Sequence, residues 1–220
     1  LCDNRLAVAE RLLRDFVKAN PTDVAAIRML AETGARLGAY DDAENLLERA
    51  LELAPSFSAA RHNYAGVLHR HMKSEAALAQ VDILLKEDRA NPNYRALRAA
   101  ILVRIGEFQQ AIESYEILLR DYPSQPKAWM GYGHALKTVG RQDEGIAAYR
   151  RSIELLPSLG ESYWSLANLK TFRFSNGEVD AMQEQLTNGE TSEEDRYHLH
   201  FALGKALEDG GAYETSFEHY

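Results

Sequence analysis

The stretch Trp129-Met-Gly-Tyr-Gly-His-Ala-Leu-Lys-Thr138 sets two glycines just ahead of a lysine and a threonine. These are the residue types that wrap a nucleotide phosphate. A Walker-type loop, however, needs a glycine directly before Lys-Ser/Thr, so that backbone N–H groups can close around the anion. Leu136 stands there instead. Leu203-Gly204-Lys205-Ala206 fails differently, because Ala206 replaces the hydroxyl residue that would meet the metal. Two His-x-His pairs, His69/His71 and His198/His200, have ligand chemistry. On a helix, residues two apart point to opposite sides and cannot converge on one ion. The acidic groups Asp41/Asp42 and Glu193/Glu194/Asp195 stand near expected helix starts. There they complement the positive end of the helix dipole, which accounts for them without general acid catalysis. No catalytic, cofactor or metal residue is therefore assigned.

The elements that carry these residues follow from composition and period. The 220 residues suffice for one or two domains with a core, and 45% apolar with 26% charged residues is ordinary for a folded chain. A formal net charge of −8 disfavours a nucleic-acid partner. No apolar run approaches a membrane span. No signal peptide is visible at Leu1, where the chain starts mid-element. Cys2 is the only cysteine, which excludes disulfides and cysteine zinc sites within one chain and fits a reducing, cytoplasmic location.

The prolines disclose a repeat. Pro21, Pro55, Pro123 and Pro157 share one phase of 34, with Arg89 in the vacant place, and Pro92 and Pro126 form a second series. Cutting at Val24, Ser58, Pro92 and Pro126 aligns Ile27/Leu30/Ala31, Tyr64/Ala65/Leu68, Ala99/Leu102 and Trp129/Tyr132/Gly133/Leu136 as a first helix, here helix A. Ala43/Leu47/Ala50, Ala77/Val81/Leu84, Ala111/Tyr115/Leu118 and Gly145/Tyr149 align as a second, helix B. Small residues admit a partner backbone or ring, and large ones fill the space so made. Arg95 and Arg98 depart from this pattern in the third unit. Ser56, Ser124 and Ser158 are expected to cap the helices that follow them.

Beyond Pro157 the register changes. Ser175/Glu178 and Thr191/Glu194 read as capping boxes, one opening a helix to about Leu186, the other a helix that stops at Gly210-Gly211. Residues 1–23 read as the second helix of a repeat without its first. Repeats span 24–57, 58–91, 92–125 and 126–159, an irregular repeat-like unit spans 160–196, and a truncated repeat spans 197–220. Leu6, Ala9, Leu13 and Phe16 at one end, and Tyr220 at the other, look like interior positions without the polar cap of a terminal repeat, so the sequence is expected to be part of a longer protein.

Trp129-x2-Tyr132-Gly133-x2-Leu136, Gly145-x3-Tyr149 and Pro157 resemble the tetratricopeptide repeat (TPR) signature. That resemblance implies an all-α fold, a right-handed solenoid of antiparallel helix pairs. The stretches 165–174, 195–209 and 216–220 are similar to the junction region of bacterial proteins that carry such repeats ahead of a sulfotransferase domain. This implies a parent that transfers a sulfuryl group from 3′-phosphoadenosine 5′-phosphosulfate. The donor site would lie beyond Tyr220, so this chain alone is expected to bind no cofactor and to have no transferase activity.

In the family's usual geometry helix A lines the concave face. The inward positions include Arg28, Arg36, Arg70, Arg104, Lys127 and Lys137 against one acid, Glu32, joined by His62, His69 and His134, with Trp164 and Phe201 in equivalent places further on. The expected partner is a protein or peptide, acidic or held by its C-terminus, recruited for the parent enzyme. Arg28 with Glu32, and His62 with Gly66, do not reproduce the lysine/asparagine carboxylate clamp of chaperone-tail adaptors. The alternative is a structural module that self-associates, a homodimer included, or packs on another domain. The remaining alternative, ordinary solvated charge, leaves the face without a ligand.

Overall fold

A computed structural model describes residues 2–220; Leu1 and the side chains of residues 2–4 lie outside the description, and with them the readings of Leu1 as a mid-element start and of Cys2 as a lone thiol. The described residues are helical throughout, without strands. The helices are α1 (Cys2–Ala19), α2 (Val24–Arg36), α3 (Tyr40–Leu53), α4 (Ser58–Arg70), α5 (Ser74–Glu87), α6 (Pro92–Ile105), α7 (Phe108–Asp121), α8 (Pro126–Thr138), α9 (Gln142–Leu155), α10 (Gly160–Ala167), α11 (Asn176–Thr187), α12 (Glu193–Asp209) and α13 (Tyr213–Phe217). They form two compact units, residues 1–110 and 111–220, the division falling inside α7.

In the first unit each helix packs on the next, and α2, α4 and α6 also touch directly, so the A helices stack as a layer. The core shows why the small residues recur. Ala31, Ala43, Ala50, Ala60, Ala65 and Ala77 are wholly buried beside Ile27, Leu47, Leu68 and Val81. A methyl at these points lets the backbones close on the larger side chains, which pack at interior density. In the second unit Tyr149, Tyr163, Leu166 and Leu203 take that part. A Cβ on Gly133 would stand 2.7 Å from the Tyr149 ring, and one on Gly131 would collide with Tyr115, so both glycines are dictated by close packing.

The third repeat's arginines take over polar work done elsewhere by aromatic residues. Trp129 donates its indole N–H to the carbonyl of Pro123 at 2.8 Å. At the same repeat position Arg95 donates to the Arg89 carbonyl and Arg61 to the Pro55 carbonyl, each at 2.7 Å. Tyr64 and Tyr132 likewise donate their hydroxyls to Glu48 and Glu116, while Arg98 donates to Asp82 at 2.9 Å. A guanidinium thus ties helix A to the preceding turn or helix B as an indole or a phenol does.

Turn chemistry also repeats, with one exception. Gly38, Gly106 and Gly140 end their A helices with φ near +85°, and Met72 takes the same place at φ 64°. Several caps differ from expectation. Ser56, Ser124 and Ser158 cap nothing: the N-cap positions are Phe57, Gln125 and Leu159, without side-chain caps, and each serine stands one residue too early. Asp23 and Asn91 do cap α2 and α6. The Ser175/Glu178 box is formed in full. The Thr191/Glu194 box is not: Ser192 caps α12 by accepting from the Asp195 N–H, while Thr191 is buried and donates to Gln185. The mark at 197 therefore falls inside α12. That helix packs on α10, where Gly160 donates its N–H to the Asp195 carboxylate at 2.9 Å. Tyr220 is 57% exposed rather than interior, although its ring covers Gly204.

Candidate functional site

The 34-residue period places the candidate side chains on successive A helices, and each unit presents its own set. In the first unit Arg28 and Arg36 lie on α2, His62, His69 and Arg70 on α4, and Arg104 on α6. Arg28 is bound to Glu32 at 3.0 Å, and Glu32 also accepts from the Asn63 amide at 3.1 Å, so the one acid of this face is already held from two sides. Arg70 lies over the Tyr40 ring at 5.9 Å, and Arg104 rests on the Met72 sulfur at 2.8 Å. Among the described residues no carboxylate comes within ion-pair distance of Arg36, Arg70 or Arg104. His62 packs against Tyr94, ring centres 5.4 Å apart.

Partial burial disfavours the charged form of these imidazoles. It lowers the pKa of His62, and of His69 with help from the Arg104 and Arg70 cations. The positive charge of the face therefore comes from arginine. His71, two residues beyond His69, turns away to Glu44 at 3.1 Å, as the helical phase of a His-x-His pair requires.

In the second unit Lys127, His134 and Lys137 lie on α8, Trp164 on α10 and Phe201 on α12. Lys127 and Lys137 are exposed, with no acid within ion-pair distance among the described residues. His134 is engaged by its own fold: the Tyr149 hydroxyl is 2.9 Å from its Nδ1, and burial followed by Lys137 lowers its pKa. Trp164 and Phe201 meet at 5.5 Å, and Phe201 meets Tyr220 at 6.1 Å, with Phe201 41% exposed. The two units thus carry different chemistries, arginine and amide in the first, lysine and an aromatic cluster in the second.

Sequence reasoning passed over Asn63, Tyr94 and the opening at Gly66. Asn63 and Gly66, with Glu32, His62, Val67 and Arg70, line a pocket between α2 and α4. Their i, i+3, i+4 spacing on α4 is the signal that could have revealed them. Among the described residues no group of three or more His, Cys, Asp or Glu could hold a metal ion, and no helix is long and apolar enough to cross a membrane. Gly133-x3-Lys137 and Gly204-Lys205 lie inside α8 and α12, not in a loop between strand and helix.

Paired antiparallel helices with this spacing define a class, and comparison with known proteins agrees. A tetratricopeptide repeat model matches residues 3–56 and 97–159, more than half of the chain, and a second matches 35–101. The chain belongs to the tetratricopeptide repeat family. Among curated relatives it is 34% identical over 83 residues to small glutamine-rich tetratricopeptide repeat-containing protein 2 of Mycosarcoma maydis, covering 36% of this chain and 24% of that protein. It is 21% identical over 125 residues to TPR repeat-containing protein YpiA of Bacillus subtilis, covering 57% and 30%. The chain thus spans less than a third of either relative. Among solved structures, MamA from Desulfovibrio magneticus RS-1 aligns with a TM-score of 0.62 at 18% identity, covering 71% of this chain and 90% of that one. YrrB, described as a TPR protein with an unusual peptide-binding site, aligns at 0.55 and 14%, covering 94% and 96%. At such identities the likeness is one of fold.

Proposed function

We propose that this chain is a peptide-binding scaffold whose A-helix faces capture an acidic segment of another protein. One observation carries the reading: a chain of net charge −8 sets Arg36, Arg70, Arg104, Lys127 and Lys137 on its A helices without carboxylate partners among the described residues. Exposed cations left unpaired in an acidic protein attract an acidic ligand and speed its encounter. Membership of a repeat family whose solved member YrrB is described by its peptide-binding site agrees with this. The chain itself needs no cofactor in this role, works in a reducing cytoplasm, and excludes nucleic acid by charge.

In the parent protein the scaffold would present a substrate to a downstream sulfotransferase domain, which would bind the sulfuryl donor. That part rests on the sequence resemblance of residues 165–174, 195–209 and 216–220 alone. A second reading, self-association, is favoured by Tyr213, Phe217 and Tyr220, which are 70%, 80% and 57% exposed. The deciding experiment is fluorescence anisotropy with an acidic peptide, comparing the native chain with the triple variant Arg70→Glu, Arg104→Glu, Lys137→Glu. Loss of binding with an unchanged circular dichroism spectrum is expected. Retained binding would overturn the proposal, and a concentration-dependent dimer without peptide binding would favour self-association.

A further inference from the structure

Met72 closes the turn between α4 and α5 with φ 64°, where the corresponding turns have Gly38, Gly106 and Gly140. A left-handed backbone burdens any residue with a Cβ, and glycine would serve the turn. Burial recovers little, since Met72 is 68% exposed. What the side chain does have is a partner. The Arg104 guanidinium, from the last turn of α6, sets one nitrogen 2.8 Å from the Met72 sulfur. The two residues are 32 apart, so the contact joins successive repeats within residues 1–110.

A thioether sulfur is only a weak acceptor for a guanidinium. A sulfoxide is polar, and its oxygen would turn the contact into a charge-assisted hydrogen bond. The pair is therefore better matched with the sulfur oxidised than reduced. Access is open: Met72 and Arg104 border a cleft of about 600 Å³, together with Lys73, Ser74 and Ile105. The other three methionines are placed differently. Met182 is wholly buried and Met130 partly so. Met29 is 48% exposed, but the guanidinium next to it in sequence, Arg28, is bound to Glu32 at 3.0 Å. Exposure and a waiting donor coincide at Met72.

We propose that Met72 is an oxidation site, at which hydrogen peroxide converts the thioether to a sulfoxide whose oxygen Arg104 then holds. The sulfur lone pair attacks one peroxide oxygen, and the S–O bond forms as the O–O bond breaks. Sulfur gives up two electrons. The other oxygen leaves as hydroxide and takes the proton of the transferred oxygen, through solvent, to become water. Arg104 keeps its charge throughout and donates to the oxygen as it becomes negative. The product ties the α4–α5 turn to the end of α6.

The test treats the full chain with dilute hydrogen peroxide and follows each methionine by peptide mass spectrometry. Met72 is expected to oxidise first, about threefold or more ahead of Met29, with Met182 last. Arg104→Leu, with an unchanged circular dichroism spectrum, should bring Met72 down to the rate of Met29. Arg104→Lys, which keeps a cationic donor, should restore part of the lead. Thermal melting gives a second readout that needs no change at Arg104. In a Met29→Leu background, the chain with oxidised Met72 should melt at or above its reduced form. Equal rates at Met72 and Met29 in the native chain, or a Met72 lead that survives Arg104→Leu, would overturn the proposal. An oxidised chain that melts below the reduced one would overturn the bond to Arg104.

Discussion

At the scale of single residues, Met72 and Gly133 make opposite demands on the backbone and its neighbours. Met72 holds a left-handed φ of 64° where the other repeats have glycine, a conformation that costs a non-glycine residue about 1 kcal/mol. Met72→Gly is expected to raise unfolding stability by roughly 0.5 kcal/mol, since greater freedom in the unfolded chain offsets part of the relief; urea denaturation would measure it. Gly133→Ala is expected to lose about 2 kcal/mol through overpacking against the Tyr149 ring. Tyr149→Leu should recover part of that loss in a double-mutant cycle, because the two sites share one space. Arg98→Tyr should be nearly neutral if the hydroxyl takes up the bond to Asp82, whereas Arg98→Met leaves Asp82 without its partner. The large-and-small pattern at Ala31, Ala43, Ala65 and Gly133 was legible because burial selects size and sequence reports size. The service of Arg95 and Arg98 as stand-ins for aromatic residues was not, because it depends on an N–H reaching a carbonyl fixed only in the folded chain.

At the scale of elements, cap geometry decides where helices begin. The α11 box joins the Ser175 hydroxyl to the Glu178 N–H and the Glu178 carboxylate to the Ser175 N–H. Ser175→Ala is expected to cost about 1 kcal/mol and to raise amide exchange in α11 well before the rest of the second unit. Glu178 also binds Arg150 at 3.0 Å, so the box helps dock α11 as well as start it. Helix starts at Val24, Ser58, Pro92 and Pro126 follow a period that reads directly from the sequence. The cap one residue past Thr191 could not be read, since Thr191 and Ser192 have similar chemistry and only burial of the first assigns the cap to the second. The candidate face was legible as a list of charges. Its inner pairing of Arg28, Glu32 and Asn63 was not, because Asn63 comes from the next repeat.

At the scale of the whole molecule, burial of titrating groups sets a pH window. His62, His69, His134 and His200 all have lowered pKa values, with burial the largest cause. The unfolded chain binds more protons at these sites, so stability is complete above the ordinary histidine value of 6.5 and falls as pH drops below it. Tyr64, Tyr115 and Tyr149 are raised, again chiefly by burial, so a second loss is expected as pH climbs above the ordinary tyrosine value of 10.0. Thermal melts across the pH range should show a plateau between these limits; a melting temperature still rising below pH 6 would contradict the lowered pKa values of these partly buried histidines.

The replacement of indole by guanidinium in the earlier repeats has a practical result. Both tryptophans, Trp129 and Trp164, belong to residues 111–220, and residues 1–110 have none. Intrinsic emission near 350 nm during denaturation (an approximate wavelength for solvated indole) would therefore report on one half of the polypeptide and leave the other dark.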